Sequence, residues 1–218
     1  TVACQLLNSS GIFNYSEHQH DAVRSGIALY GFANHPEWDA MLKPVSQLTS
    51  TILQIVSVKK GETVGYNSGW VAQHDAQIAT LPLGHADGIG RQFGLGKIQV
   101  SVNGKKASIV GNVCMDMCMI DVTKIDCHEG DEVELFGFKN SAEKVAKSGD
   151  TISYELLSNV GQRVERTRGH SARAGRRRLG RARRARRLPR GVRPGGEGVG
   201  RLGARLHCAP QRRARADR

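Results

Sequence analysis

The sequence is short of almost everything that would mark a membrane, metal or disulfide protein. Aromatic residues make up 5% of the 218 positions. No apolar run approaches the roughly 20 residues that a membrane helix needs, and no signal peptide opens the chain, so no membrane partner is expected. Five cysteines are present, an odd number, and none stands in the C-x-x-C spacing of a zinc or redox site. No metal site is expected, and reduced thiols fit a cytoplasmic protein. Cys114 and Cys118 lie four apart in a segment that reads as strand, so they are expected to share a face as small apolar residues.

The shortage is uneven. Residues 1–166 hold 14 Lys and Arg against 18 Asp and Glu, a net charge of −4. Residues 167–218 hold 18 Arg, no Lys and two acids, a net of +16. The overall pI near 9.9 therefore describes the tail, and the body gives no electrostatic reason to bind nucleic acid. The tail also lacks Ile, Phe, Tyr, Trp, Asn and Met. Such a composition cannot bury enough apolar surface to offset its ordering entropy, so disorder is expected. Arg, Gly, Ala and Pro are residues of GC-rich codons, which suggests a frame-shifted or read-through product. A genuine tail would instead suit nucleic acid, although it lacks aromatics that stack on bases. The first residue is Thr and begins inside a patterned segment, which suggests a fragment.

What is present is strand-like periodicity. From Val45, SQLTSTILQIVSVKKGETVGY alternates apolar and polar residues and turns at Lys60-Gly61. Asn103-Gly104, between the alternating runs IQVSV and KKASIV, is a strong hairpin signal, because both residues accept positive φ. Glu129-Gly130-Asp131 is a further turn. Strands this frequent predict an antiparallel β-domain or barrel over about 46–138. SAEKVAKS predicts a short helix capped by Ser141, and SYELLSNVGQRVER a last helix and strand. Before the β-region, Asp21-Ala22-Val23-Arg24 reads as a helical turn entering a buried strand at Gly26–Gly31, and residues 33–45 as a loop.

Three stretches together carry a resemblance: LLNSSGI with DAVRSGIALYGF; VGYNSGW with IATLPLGHADGIGR; and GKKASIVGNVCMDMCMIDVT with GDEVELFG and TISYELLSNVGQRVER. Their order, spacing and glycine placement resemble alanine racemase over about 1–166. The resemblance implies a mainly β fold. Residues 1–45 would be the end of an α/β (TIM-type) barrel that binds pyridoxal 5′-phosphate (PLP). Residues 46–166 would be a β-barrel-like carboxy-terminal domain, and 167–218 the tail.

The family interconverts L- and D-alanine for peptidoglycan synthesis and works as a homodimer whose subunits share each active site. Racemisation needs a base on each face of the α-carbon, while PLP acts as the electron sink. The resemblance makes Tyr66 one base. Arg24 matches the arginine facing the pyridine nitrogen of PLP. Ser9 and the backbone amides of Gly26 and Ile27 match its phosphate cradle, and Tyr154 matches a second phosphate contact. Met115, through its N–H, matches the substrate carboxylate contact, with Asp116 beside it. His85 replaces the tyrosine of the usual GYADG and, with Arg91, is expected to line the access passage. Asn112 stands where many members have arginine, and Gly161 falls where a serine is common. The PLP lysine, the second base, lies in none of these stretches, so this chain alone is expected to be inactive. Two other readings are a PLP racemase for a different amino acid and a non-catalytic β-barrel binding module with a basic nucleic-acid-binding tail.

Overall fold

The computed structural model describes residues 2–33, 35–168 and 203–208. The first 45 residues hold β1 (Gln5–Asn8), α1 (Ser9–Asn14), β2 (Ala22–Arg24) and α2 (Pro36–Asp39). The β-region holds β3 (Ser46–Thr51), β4 (Gln54–Val58), β5 (Thr63–Val64), β6 (Trp70–Val71), β7 (Ala76–Leu81), β8 (Gln99–Val102), β9 (Lys105–Val110), β10 (Cys118–Asp121) and β11 (Glu132–Phe136). Helices α3 (Ala142–Ser148) and α4 (Ser153–Ser158) follow, then β12 (Glu165–Arg168) and β13 (Arg205–Cys208).

Strands β1 and β2 pair in parallel, with Gln5 opposite Ala22 and Asn8 opposite Arg24. A parallel pair needs a crossover between its strands, and α1 supplies it. The side chain of Asn8 caps α1 by accepting the Gly11 N–H at 2.9 Å. The sequence expectation is inverted here: Ala22–Arg24 is strand, and Ile27–Tyr30 is a 3-10 turn. Tertiary contacts decide it. The Ser9 hydroxyl accepts the Gly26 N–H at 2.8 Å, and left-handed Gly31 closes the turn onto Ala28. Residues 33–45 are likewise not all loop, since Pro36 starts α2 at a position where its missing N–H costs nothing.

The main sheet has nine strands in the order β12-β13-β3-β11-β8-β9-β10-β7-β4. Every pairing is antiparallel except β12 with β13. The Asn103-Gly104 hairpin joins β8 to β9, with both residues at positive φ. The curved sheet encloses a core of Leu48, Ile78, Leu81, Ile98, Ile109, Ile120, Leu135 and Phe136, closed at one end by Val145, Ala146 and Leu156 of α3 and α4. Each large aliphatic side chain buried there contributes roughly 1.5–3 kcal/mol. Ser141 does precede α3, but its side chain makes no cap bond.

Two expectations are corrected. Cys114 lies in the loop before β10, where its N–H donates to Met117 O at 2.9 Å, so it shares no strand face with Cys118. Met115, at the same turn, is 76% exposed. Within the stretch expected to be disordered, residues 203–208 carry β13. Leu206 lies opposite Leu48, and both Ala204 and Leu206 are buried in the core. Four residues with one buried leucine can add to a sheet edge because the edge already presents unpaired backbone groups. The rest of the tail, 169–202 and 209–218, lies outside the described residues, as do Thr1 and Asn34. Among the described residues no helix is long and apolar enough to cross a membrane, and no cluster of His, Cys, Asp and Glu could hold a metal ion.

Candidate active site

Two groups of polar residues stand out. The first lies where the parallel pair β1–β2 ends. Ser9 follows β1 directly, Arg24 closes β2, and Gly26 starts the 3-10 turn. The Ser9 hydroxyl is buried and accepts from Gly26 N at 2.8 Å and Ala28 N at 3.4 Å. The Ile27 N–H has no acceptor among the described residues. Arg24 is exposed, and its Nη2 donates to Leu6 O at 3.3 Å. The carboxyl ends of parallel strands are where α/β folds place ligands. A hydroxyl, a guanidinium and an amide with no acceptor among the described residues could together hold an anion at that end.

Tyr154, on α4, packs against the core that includes Ile27. Burial pushes its phenol above the usual tyrosine value, and the Asp39 carboxylate pushes it the same way. The phenol therefore stays protonated, as a donor, across neutral pH.

The second group is built by three loops of the β-domain. Tyr66 follows Gly65, whose φ of 80° is followed by left-handed Asn67 and Ser68. Left-handed conformations of residues other than glycine cost on the order of 1 kcal/mol each, so the turn needs support from outside itself. Part of that support is the side chain of Asn112, whose Nδ2 donates to Tyr66 O at 2.9 Å. Arg91 Nε in turn donates to Asn112 Oδ1 at 3.3 Å. The Tyr66 side chain itself is free to face outward, and the residue is 71% exposed.

The loop at 84–90 is joined to the loop at 111–117. The His85 and Ala86 N–H groups donate to Cys114 O and Met115 O at 3.0 and 2.8 Å. Gly84 permits this approach. A Cβ there would lie 2.5 Å from Cys114 O and 2.7 Å from the Asp116 and Met117 nitrogens. The result presents Met115 and Asp116 outward, and the Met115 N–H has no acceptor among the described residues. His85 is exposed, and its Nδ1 lies 3.0 Å from Ile89 O. A carbonyl only accepts, so Nδ1 carries the proton and a neutral His85 offers Nε2 as acceptor. His85 lines a cleft of about 320 Å³ with Gln92, Phe93, Thr151, Glu155 and Asn159, which brings it towards the segment bearing Tyr154.

The structure thus brings Tyr66, Asn112 and Arg91 together, and His85 with Met115 and Asp116. Ser9, Gly26, Ile27 and Arg24 gather separately. Among the described residues no hydrogen bond or ion pair joins the two groups.

One anchoring pair was not read from the sequence. Asp87, almost wholly buried, takes two bonds from Arg163, Nε at 2.7 Å and Nη2 at 2.8 Å, and one from Gly84 N at 2.9 Å. Asp87 lies in GHADG and Arg163 in GQRVE, but their 76-residue separation leaves no local signal.

A family model described as "Alanine racemase, C-terminal domain" matches residues 45–168. The chain belongs to the alanine racemase family. An alanine racemase of Deinococcus deserti is 42% identical over 169 residues, covering 76% of this chain and 47% of its own. That of Clostridium kluyveri is 39% identical over 167 residues, covering 73% and 42%. Among solved structures, the alanine racemase of Bartonella henselae with covalently bound pyridoxal phosphate is 36% identical, with a TM-score of 0.67, over 74% of this chain and 45% of that one. The Bacillus anthracis alanine racemase with bound L-Ala-P is 32% identical, again with a TM-score of 0.67, over 73% and 42%. This chain spans less than half the length of these alanine racemases. The mainly β fold is that of the family's carboxy-terminal domain.

Proposed function

We propose that the chain supplies the β-domain, and the end of the barrel, of a PLP-dependent alanine racemase that interconverts L- and D-alanine for peptidoglycan synthesis. The observation that carries this reading is the exposure of Tyr66 and Met115 on braced loops, where Tyr66 is 71% and Met115 76% exposed and the Met115 N–H has no acceptor among the described residues. A site so arranged would be completed from outside this chain, which fits a homodimer whose subunits share each active site.

The residues at the end of β1–β2 suit PLP. Among the described residues the Ile27 N–H lacks an acceptor, Gly26 carries no Cβ, and the Ser9 hydroxyl lies beside the Gly26 N–H, so a phosphate would find donors at close range. The Tyr154 phenol, kept protonated by burial, adds a donor. Arg24, always charged, would face the pyridine nitrogen and keep it unprotonated. PLP, when bound, draws electrons from the substrate α-carbon.

Tyr66 would take the α-proton on one face and return it on the same face for the reverse direction. A phenol near pKa 10 is a weak base at neutral pH, so neighbouring groups of the assembled site must assist it. The Met115 N–H would hold the substrate carboxylate, with Asp116 beside it. His85, in place of tyrosine, and Arg91 would line the access passage. The second base would be the PLP-bearing lysine of the family, which none of the stretches that match the family contains.

Two arms test the reading. The chain alone, given PLP and L-alanine, should form no D-alanine. Joined in frame behind the lysine-bearing half of a relative, it should racemise alanine, and Tyr66→Phe should lower turnover by roughly 10²–10⁴-fold. A joined protein that binds PLP but does not racemise alanine overturns the proposal.

A further inference from the structure

Asn112 is buried and its amide is pinned from both sides. Arg91 can only donate, so the atom facing its Nε must be Oδ1. That choice leaves Nδ2 facing Tyr66 O, a carbonyl that can only accept. The orientation of the amide is therefore dictated by chemistry. The same carbonyl accepts the Gly69 N–H at 3.2 Å, which closes the turn. Space is restricted as well: a Cβ on Gly69 would lie 2.7 Å from Asn112 Nδ2, and one on Gly65, at the start of the turn, would lie 3.2 Å from Met119 Cε and 3.4 Å from the Asn112 backbone nitrogen. Inside this turn Asn67 and Ser68 both hold positive φ without being glycine.

We infer that Asn112, oriented by Arg91, is the positioning residue of the Tyr66 turn. Arg91 fixes the amide, the amide fixes the Tyr66 carbonyl, and the carbonyl fixes where the Cα–Cβ bond of Tyr66 points. The backbone is held while the phenol keeps its rotamer freedom in the open. A base that must meet a substrate carried on another subunit needs that combination. Arg91 thereby takes a role besides the access passage. The inference rests on the proposed function for the chemistry of Tyr66, but not for the geometry of the turn.

The test is NMR on the labelled 218-residue chain, which needs neither cofactor nor activity. Asn112→Asp keeps the acceptor for Arg91 but replaces the donor to Tyr66 O with an oxygen. The positive-φ chemical shifts of Asn67 and Ser68 should disappear, and the Gly69 amide should exchange at least about tenfold faster, while sheet amides such as Ile109 stay unchanged. Acidification through the titration of the new carboxyl, followed on the same sample, restores a donor and should bring the turn back. A merely structural role would not give that pH profile. Arg91→Ala should loosen the same residues, and adding it to Asn112→Asp should change little further. Should Asn112→Asp fail to fold, Arg91→Ala decides alone, because the Arg91 side chain is exposed. Unchanged shifts at Asn67 and Ser68 with unchanged Gly69 exchange overturn the inference. Racemisation can fail independently of either result.

Discussion

Asp87 receives both prongs of the Arg163 guanidinium while its second oxygen also accepts the Gly84 N–H, so one buried carboxylate ties the loop before the 3-10 turn at 85–87 to the segment after α4. The Asp87 main-chain carbonyl reinforces this by accepting Gly161 N–H at 3.1 Å. Arg163 is half exposed, so solvent screens part of the pair. The larger effect is the cost of leaving the carboxylate buried without its partner. Arg163→Ala should therefore destabilise the chain by roughly 1–3 kcal/mol, read as a lower denaturant midpoint with an unchanged slope. Asp87→Asn should be milder, because an amide oxygen can still accept from Gly84. A variant Arg163→Ala with the wild-type midpoint would show the pair to be ornamental.

Gly84 makes a second, steric prediction. Its φ of −152° is open to any residue, so the argument is space alone. All three atoms that an alanine Cβ would meet belong to backbone and cannot rotate away. Gly84→Ala should push the 84–90 loop off the 111–117 loop and cost about 2–4 kcal/mol, in the range of overpacked sites. Hydrogen exchange at His85 and Ala86 should accelerate more than at β9.

Cys118 provides a pH test. Complete burial pushes its thiol up to about 12, with Cys114 and Asp87 adding in the same direction. In the unfolded chain it ionises near 8.5. Below that value both states are protonated and the thiol contributes nothing to the pH dependence. As pH rises from about 8.5 towards 12, only the unfolded state loses the proton, so stability falls. By pH 10 the loss attributable to this thiol is roughly 2 kcal/mol. Cys118→Ala should begin less stable at pH 7 but lose less between pH 8 and 10. Equal alkaline losses in both proteins would contradict the assignment. In native buffer exposed Cys4 should be alkylated first and Cys118 last.

The tail strand can be tested the same way. Leu206 packs into the core opposite Leu48, and His207 lies within hydrogen-bond reach of Thr167 Oγ1 and Thr49 Oγ1 at 2.7 and 3.4 Å. Leu206→Ala should cost about 2–3 kcal/mol, the lower part of the range for a buried leucine. An unchanged midpoint would show that β13 contributes no stability to the sheet.

Much of this protein was legible in its sequence. Period-two alternation fixes strand faces locally, and Asn103-Gly104 fixes a hairpin locally, so the β-domain could be read from residues near one another. The motifs around Tyr66, His85 and Cys114 to Asp116 likewise singled out one linear set of candidate residues. Tertiary structure decided what depends on distant partners. Ala22–Arg24 is strand because β1 lies beside it, and Ile27–Tyr30 turns because Ser9 accepts the amides at its start. Arg163 finds Asp87, and Asn112 finds Tyr66 O, across gaps of 76 and 46 residues. Short-range patterns report the conformation a segment prefers. Buried polar pairs report which segments have come together, and that depends on the whole folded sheet.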